Sequence, residues 1–352
     1  MFDLSLKKIL FMVFIPFVFV ALIIPVIKKI AFHVGAIDLP NERKVHKKPM
    51  PRLGGLGIYA GFLLGYMLFS EHTYMMNSIL IGSFVLIITG MIDDIKPLRP
   101  YPKLIGQIIS TLVVVLYGNV LLRDLSFFGI YIDFGIFAYP ITILFILGCI
   151  NCMNFIDGLD GLAGGISSIF FLTIGIIAFS HIKIGLDFSL ALSITFIMLG
   201  STSGFLVHNF YPAKIFMGDS GSMFLGYIMS IITILGFKSV MMSSIIIPLF
   251  ILVVPILDTL FAIIRRKLKG EKVTMPDKSH IHHQLLRRNY SVRKTVLIIY
   301  LITFLFSLAT LIYTLVDNRL GYIIYGILMI GVIIFVLTTD ILFDRKKTSR
   351  II

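Results

Sequence analysis

The chain has 352 residues, of which 58% are hydrophobic and 14% are charged. Soluble domains are about half apolar and about a quarter charged, so this composition excludes a soluble globular protein and favours an integral membrane protein. Lys and Arg number 31 against 18 Asp and Glu, a formal net charge of +13. The sequence shows no basic stripe interleaved with stacking aromatic residues, which argues against nucleic acid as a partner.

Apolar stretches long enough to cross about 30 Å of hydrocarbon recur along the whole chain. We count about eleven and predict an all-α integral membrane protein, a polytopic bundle of about 10–11 transmembrane helices that forms a single domain over residues 1–352. The first stretch, near residues 9–27, contains Pro16 and Pro25 and lacks a small-residue cleavage site. We therefore expect it to be a retained span and not a signal peptide.

The distribution of basic residues predicts how the bundle is oriented. Loops that follow the odd-numbered spans, together with the C-terminal tail, hold 25 of the 31 Lys and Arg residues, and the opposite side holds 6. By the positive-inside rule, the basic side faces the cytoplasm. The segments assigned to that side are the loops near 28–55, 93–103, 153–162, 208–219 and 265–294 and the basic tail at 343–352.

The most informative of these loops is NCMNFIDGLDGLAGG, residues 151–165. It places Asn154, Asp157 and Asp160 between two apolar runs, with glycines at 158 and 161 that let the backbone approach a ligand closely. An Asp near the bilayer centre costs at least ~2.5 kcal/mol, so two within four residues indicate a water-facing polar site at a span end. The alternative is a flexible polar turn between two membrane helices.

Further acids lie at other span ends on the same side. Asp93 and Asp94 are adjacent, and their like charges predict a cation or a basic partner beside them, with a solvated helix cap as the alternative. Asp219, in KIFMGDSGS, stands at the start of a hydrophobic helix whose free N–H groups suit an anion, and the carboxylate could hold a metal. Phe216 suits stacking on a base, with membrane packing as the alternative.

Basic residues and histidines flank these acids. HKKPMPRLGG contains Lys48 and Arg52, which with the following glycines favour phosphate binding, or else anchor the loop to anionic lipid. The longest basic loop contains His280, His282 and His283 in an H-x-H-H pattern. That spacing lacks the partners of a zinc site, so contact between imidazole N–H groups and an anion is the favoured interpretation.

Two other features are interpreted as structural. Cys149 and Cys152 form a lone C-x-x-C at the end of an apolar span, and packing is favoured over a redox or zinc role. The alternating stretch FFGIYIDFGIF, residues 127–137, predicts a short hairpin at the outer interface. Neither feature carries a functional prediction.

The acids, amides and histidines all fall on the side that the charge distribution assigns to the cytoplasm. Oxygen ligands without soft sulfur suit Mg²⁺ or Mn²⁺, and Mg²⁺ typically takes one or two protein groups plus substrate phosphates. Together with the surrounding cations, this predicts a diphosphate substrate from the cytosol. The acceptor is expected to come from the membrane.

Taken in order, these motifs resemble the polyprenyl-phosphate N-acetylhexosamine-1-phosphate transferase family, and the resemblance covers nearly the whole chain. PRLGG and HIHH are similar to the WecA and TagO type, the undecaprenyl-phosphate GlcNAc-1-phosphate transferases. The more distant MraY type, which transfers phospho-MurNAc-pentapeptide, commonly carries PTMGG and a contiguous His triplet. The GlcNAc type is therefore expected, and the MraY type is kept as the alternative.

The resemblance implies a Mg²⁺-dependent phosphotransferase, with Mn²⁺ as a substitute ion. It would move a HexNAc-1-phosphate, expected to be GlcNAc-1-phosphate, from a UDP-sugar such as UDP-GlcNAc to undecaprenyl or another polyprenyl phosphate. UMP would be released, and a lipid-linked cell-envelope glycan would begin. The family implies a multi-pass protein of a bacterial cytoplasmic membrane with its active site facing the cytoplasm, and it allows a homodimer.

Residue roles are carried over from the same resemblance. Metal coordination is assigned to Asn154 and Asp219. The expected catalytic residues are Asp93, Asp94, Asp157, His280, His282 and His283, with the first two at the lipid phosphate. The expected substrate-binding residues are Lys48, Arg52, Lys103, Gly158, Leu159, Asp160, Asn209 and Phe216, with Phe216 stacked on uracil.

Two other classes remain open from the residues alone. A transporter or lipid flippase also has many spans with intramembrane acids, but it would place binding groups near the midplane, within an inverted repeat. A membrane-bound hydrolase could use the same metal site with water as the acceptor. Here the acids lie at inward span ends and no convincing repeat is seen, which favours a transferase over a carrier.

Overall fold

The computed structural model describes residues 6–40, 48–127, 130–183, 188–236, 246–268, 270 and 280–338. Within them the chain is almost entirely helical. The predicted tail at 343–352, residues 271–279 of the basic loop, and His46 and Lys47 of the HKKPMPRLGG motif lie outside the described residues.

Thirteen α-helices are present in the described residues, two of them extended by other helical turns. The chain runs through α1 Leu6–Val34, α2 Gly54–Phe69, α3 Tyr74–Ile95, α4 Pro100–Leu112, α5 Ala138–Ile156, α6 Leu162–Lys183, α7 Ser189–Asn209, α8 Gly218–Gly236, α9 Ile246–Ile251, α10 Val253–Leu268, α11 Ile281–Arg287, α12 Val292–Leu315 and α13 Asn318–Thr338. A π-helical turn, Val113–Tyr117, continues α4, and a 3-10 turn, Gly135–Phe137, precedes α5.

Nine helices within the described ranges are long and apolar enough to cross a membrane, which confirms the predicted class of fold. Two of the predicted spans are not among these nine helices. Helix α2 is apolar but has 16 residues, about 24 Å at 1.5 Å per residue. The apolar stretch near residues 244–264, the ninth of the predicted spans, is divided into α9 and α10, because Pro255 has no N–H to continue the helical hydrogen bonding.

Helix α8 lies at the centre of the bundle, and its side chains are buried along nearly its whole length. It packs against α2, α3 and α5. The approach is close because the contacts are made by small residues: a Cβ added to Gly55 of α2 would lie 2.1 Å from the backbone N of Gly221, and one added to Gly90 of α3 would lie 2.3 Å from Cα of Ser220. The start of α8 is therefore held tightly between α2 and α3.

Two short hairpins accompany the helices. Strands β3 (Asp124–Phe127) and β4 (Ile130–Asp133) pair in antiparallel fashion, so the predicted outer hairpin is confirmed. Strands β1 (Ile37–Asp38) and β2 (Met50–Pro51) form a second antiparallel pair, which the sequence analysis did not predict. This second pair matters for the site because it brings the residues after β2 against the start of α8.

Gly90→Ala should destabilise the protein because its new methyl group would meet the backbone of Ser220, which cannot move without displacing α8. We expect a loss of roughly 1–3 kcal/mol, measured as a lower thermal midpoint of the purified protein in detergent. Gly148→Ala on α5 is the matched control, because a Cβ there meets no atom within 4 Å. Equal midpoints for the two variants would contradict the packing argument.

Candidate active site

A cavity of about 730 Å³ opens where the loops predicted to face the cytoplasm converge. Its walls come from β1 and β2, the turn between α5 and α6, the segment between α7 and α8, and α11. The residues that line it and that sequence analysis assigned to the site are Lys48, Arg52, Asn154, Asp157, Gly158, Leu159, Asp160, Asn209, Phe216, Asp219 and His283. Residues far apart in sequence thus share one pocket.

The first turn of α8 is capped by a carboxylate from another helix. Asp94 of α3 accepts hydrogen bonds from the backbone N–H of Asp219 (2.8 Å), the backbone N–H of Ser220 (3.1 Å) and the Ser220 hydroxyl (2.7 Å). Gly218 makes this approach possible, because its φ is +75° and a Cβ there would lie 2.4 Å from the Asp94 carboxylate. Asp94 therefore satisfies free N–H groups of the helix and fixes where Asp219 lies.

A single ammonium group joins acids from two helices beside this cap. The Nζ of Lys103, on α4, lies 2.9 Å from Oδ2 of Asp93 and 2.5 Å from Oδ2 of Asp219. The other oxygen of Asp93 accepts the backbone N–H of Leu98 at 2.7 Å. The basic partner that the adjacent acids predicted is therefore present.

A guanidinium group completes the charge cluster. Arg52, just after β2, lies 3.6 Å from Asp94, 3.7 Å from Asp219 and 3.7 Å from Asp38. Burial by itself would lower the pKa of Arg52, but the surrounding carboxylates, with Asp94 first, outweigh burial and raise the pKa above its usual value. The guanidinium therefore stays charged, and it draws the α8 cap and the β1–β2 hairpin together.

The amide of Asn154 is oriented by a short chain of hydrogen bonds. The Ser222 hydroxyl donates to the carbonyl of Gly218 at 3.1 Å, so its oxygen is left to accept from Nδ2 of Asn154 at 2.9 Å. This fixes the NH₂ group of Asn154 toward α8. The amide oxygen has no hydrogen-bond partner among the described residues. Because Asn154 lines the cavity, this oxygen is held in a fixed orientation and is available as a metal ligand.

Asp157, three residues after Asn154, lines the same cavity, and its carboxyl group likewise has no hydrogen-bond partner within the described part of the chain. Burial raises the pKa of Asp157 to about 8, and the negative charges of Asp219 and Asp94 contribute to the shift. Near neutral pH the carboxyl group thus favours its protonated form. A cation brought into the cavity would favour ionisation and would be attracted in turn.

The donor set fits a hard divalent cation that is only partly coordinated by protein. Asn154, Asp157 and Asp219 line one cavity with side chains that carry oxygen ligands, and no cysteine lines it among the described residues. Among the described residues, no three His, Cys, Asp or Glu side chains gather closely enough to hold a metal ion by themselves. One or two protein oxygens completed by substrate phosphates is the usual arrangement for Mg²⁺, so the residues present suit that ion.

The predicted uridine pocket is held together by side chains that bond to backbone. Asn209 accepts the N–H of Gly161 at 3.0 Å and donates to the carbonyl of Ile215 at 2.8 Å, while Asp160 accepts the N–H of Ala213 at 2.9 Å. These bonds tie the α5–α6 turn to the segment before α8. The amide of Asn209 thus serves first to shape the pocket, and its role in contacting uridine remains a prediction.

Phe216 lines the same cavity, and its backbone is fixed on both sides. Its N–H donates to the carbonyl of Pro51 at 2.8 Å, and its carbonyl accepts the N–H of Gly54 at 3.0 Å. The backbone that carries the ring is therefore held to β2 and to the start of α2. An aromatic ring on a rigid wall suits stacking on a planar base.

The three predicted histidines have different surroundings. His283 lines the cavity. His282 is buried behind the α5–α6 turn, where a Cβ at Gly158 would lie 2.7 Å from its Nε2. Burial, assisted by the neighbouring His283, lowers the pKa of His282 to about 3, so it is neutral at physiological pH and does not add positive charge to the pocket.

His280 is also buried, and it makes a contact that the sequence analysis did not predict. Its Nδ1 lies 2.7 Å from the Oδ2 atom of Asp258, a residue of α10. A lone acid inside an apolar stretch, VVPILDTLF, was the sequence signal that could have identified Asp258, because such an acid normally has a function or a partner.

Asp157→Asn should make the protein more resistant to heat in alkaline, chelator-containing buffer. The unfolded carboxyl titrates near ~4 and the folded one at about 8, so wild type loses stability relative to the neutral variant as the pH rises between these values. The difference in thermal midpoint should grow from pH 4 to pH 8 and level off above. A pH-independent difference would contradict the raised pKa of Asp157.

Comparison with known proteins agrees with the arrangement of these residues. Residues 76–237 match glycosyl transferase family 4. The chain is 41% identical, over 93% of its length and 91% of the relative, to a probable undecaprenyl-phosphate N-acetylglucosaminyl 1-phosphate transferase of Bacillus subtilis. It is 32% identical to a decaprenyl-phosphate N-acetylglucosaminephosphotransferase of Mycolicibacterium smegmatis, covering 78% of this chain and 74% of the relative.

A third relative, an undecaprenyl-phosphate alpha-N-acetylglucosaminyl 1-phosphate transferase of Haemophilus influenzae, is 32% identical over 82% of both chains. The relatives thus extend well beyond the segment that the family pattern matches. This confirms the resemblance drawn from the motifs. The chain belongs to glycosyl transferase family 4, among the polyprenyl-phosphate N-acetylhexosamine-1-phosphate transferases.

Proposed function

We propose that this protein transfers GlcNAc-1-phosphate from UDP-GlcNAc to a polyprenyl phosphate and releases UMP, beginning a lipid-linked glycan. The observation that carries the proposal is one cavity, at the ends of membrane helices, that is lined by side chains with oxygen ligands, by cations and by a partly buried aromatic ring. The names of the relatives, which act on undecaprenyl and decaprenyl phosphate, support the acceptor and the sugar.

The charge balance of the cavity supports metal dependence. Carboxylates outnumber cations two to one in and around it: Asp38, Asp93, Asp94, Asp157, Asp160 and Asp219 against Lys48, Arg52 and Lys103. Such a pocket would repel a diphosphate unless a divalent cation joined it. Asn154 and Asp219 would hold that ion, with Asp157 beside them, and the ion would supply charge neutralisation at the transferring phosphoryl group.

The donor would be positioned by groups that the fold has already fixed. Phe216 offers its ring to uracil, and the α5–α6 turn from Asp157 to Asp160 surrounds the ribose and base. Lys48 and Arg52 line the same cavity and would provide positive charge for the diphosphate. Because these groups are held before substrate arrives, little reorganisation is needed on binding.

The acceptor phosphate needs alignment more than deprotonation. A phosphate monoester has a second pKa near ~6, so it is largely dianionic at neutral pH and is already a competent nucleophile. Asp93 shares Lys103 with Asp219, which places an ammonium between the predicted acceptor side and the predicted metal side. We infer that Lys103 lowers the repulsion between the two phosphates and that direct in-line displacement follows.

The orientation follows from the distribution of charge along the chain. Segments on the cavity side contain most of the Lys and Arg residues, which supports a cavity at the cytoplasmic face of a bacterial cytoplasmic membrane. A nucleotide-sugar from the cytosol can then meet a prenyl phosphate whose tail stays in the bilayer. The multi-pass bundle supplies that setting.

Purified protein given UDP-GlcNAc, Mg²⁺ and undecaprenyl phosphate should release UMP only when the lipid is present, and chelation should abolish the release. Mn²⁺ should restore activity, because it accepts the same oxygen ligands. UMP release and lipid-linked sugar are measured together. Release without lipid would indicate a hydrolase, and transport in vesicles without release would indicate a carrier. Preference for the muramoyl-pentapeptide donor would assign the protein to the MraY type.

Asp93→Asn separates the two roles open to that carboxylate. If Asp93 acts through charge and alignment, turnover should fall by about 10–100-fold at every pH from 6 to 9. Recovery to the wild-type rate at high pH would instead support a general base. Asp124→Asn, on the outer β3–β4 hairpin, is the matched control and should leave turnover unchanged.

A further inference from the structure

One carboxylate outside the motif set is buried in the helical bundle beside the histidine cluster. Asp258 of α10 is 1% exposed. Its Oδ2 lies 2.7 Å from Nδ1 of His280, and its Oδ1 accepts the backbone N–H of Ile281 at 2.6 Å. Both oxygens are therefore engaged at the start of α11, where the histidine cluster begins.

This geometry fixes the protonation pattern of the His280 ring. An ionised carboxylate offers only acceptor sites to its neighbours. Nδ1 of His280 must then carry the proton, and Nε2 is the atom left to meet a ligand. Within the described residues, Nε2 has no hydrogen-bond partner, so the contact with Asp258 alone sets the tautomer.

His280 is close to the cavity wall. Its ring centre lies 6.3 Å from that of His283, which lines the cavity, and 6.5 Å from that of Phe155, the residue after Asn154. Its ring is also stacked on that of His282 at 5.7 Å, with 5° between the planes. The ring is thus held on several sides, and it lies one ring away from the cavity that His283 lines.

We propose that Asp258 is a positioning residue for the transfer reaction, acting through His280. It holds the imidazole in the Nδ1–H form and keeps Nε2 directed away from α10, where it can take a proton from solvent and then donate a hydrogen bond to a phosphate oxygen. When Nε2 is protonated against an anionic substrate, the buried carboxylate stabilises the resulting imidazolium. The proposal rests on the proposed function, because it assigns a role within the same site.

The decisive experiment is a double-mutant cycle on turnover of the purified, full-length protein, using Asp258→Asn, His280→Gln and the double variant. Asn can still accept the Ile281 N–H but would present its NH₂ group to the ring, which forces the other tautomer. We expect Asp258→Asn to lower turnover by about 10–100-fold, with the KM for UDP-GlcNAc within about threefold. The double variant should be no slower than His280→Gln alone.

Two further variants separate positioning from a merely structural role. Asp258→Glu retains the carboxylate and should recover part of the lost turnover. Thr259→Val is the matched control and should leave turnover unchanged. The Thr259 hydroxyl donates to the Pro255 carbonyl of its own helix and also bonds to the Cys152 side chain, and neither partner belongs to the proposed site. Thermal midpoints are recorded for every variant. Losses that multiply in the double variant, or a fully active His280→Gln, would overturn the proposal.

The protonation of the two His280 ring nitrogens can also be measured without an activity assay. Proteins labelled with ¹⁵N-histidine should show the Nδ1–H form for His280 in wild type, assigned by its disappearance in His280→Gln, and the Nε2–H form in Asp258→Asn. An Nε2–H form in wild type would refute the proposal even if Asp258→Asn failed to fold. Absence of transfer by wild type, with the Nδ1–H form present, would instead refute the proposed function.

Discussion

The contact between the Asp94 carboxylate and the first turn of α8 is the constraint on which the rest of the site depends. It joins the end of one membrane helix to the beginning of another, and Gly218 and Gly90 allow the backbones to come close enough. A buried carboxylate and free helical N–H groups are each costly alone in an apolar setting, so each stabilises the other. Asp219 is positioned as a consequence.

The groups around this contact carry more negative than positive charge, which favours the binding of a cation. Lys103 and Arg52 partly neutralise the acids, yet the carboxylates remain in excess. That excess adds to burial, the larger cause, in raising the pKa of Asp157. Under the proposed function such a pocket is an advantage, because the excess negative charge would attract a divalent cation, and that cation would bind phosphate. The buried carboxylates lower the stability of the folded protein, and this cost is expected at a site that has to bind a charged substrate.

Much of the fold and of the candidate site could be predicted from the sequence. Composition and apolar periodicity were sufficient for the membrane class, since no soluble core could bury so much apolar surface. The positions of Asp157, Asp219 and Phe216 beside small residues at span ends were sufficient to predict a shared site, and all three line one cavity in the structure. The outer hairpin was also predicted, from alternation over a few residues.

Tertiary structure decided what each polar group is bonded to, because those partners are distant in sequence. Asp94 caps α8, Asn209 bonds to loop backbone, and His282 lies buried behind Gly158, although all three look equivalent to their neighbours in the motifs. Asp258 lay inside an apolar stretch whose partner is more than twenty residues away, so no local pattern paired it with the histidine cluster. Sequence determined which residues could do chemistry by their type and spacing; only packing, which sets distance and desolvation, decided which of them face the cavity.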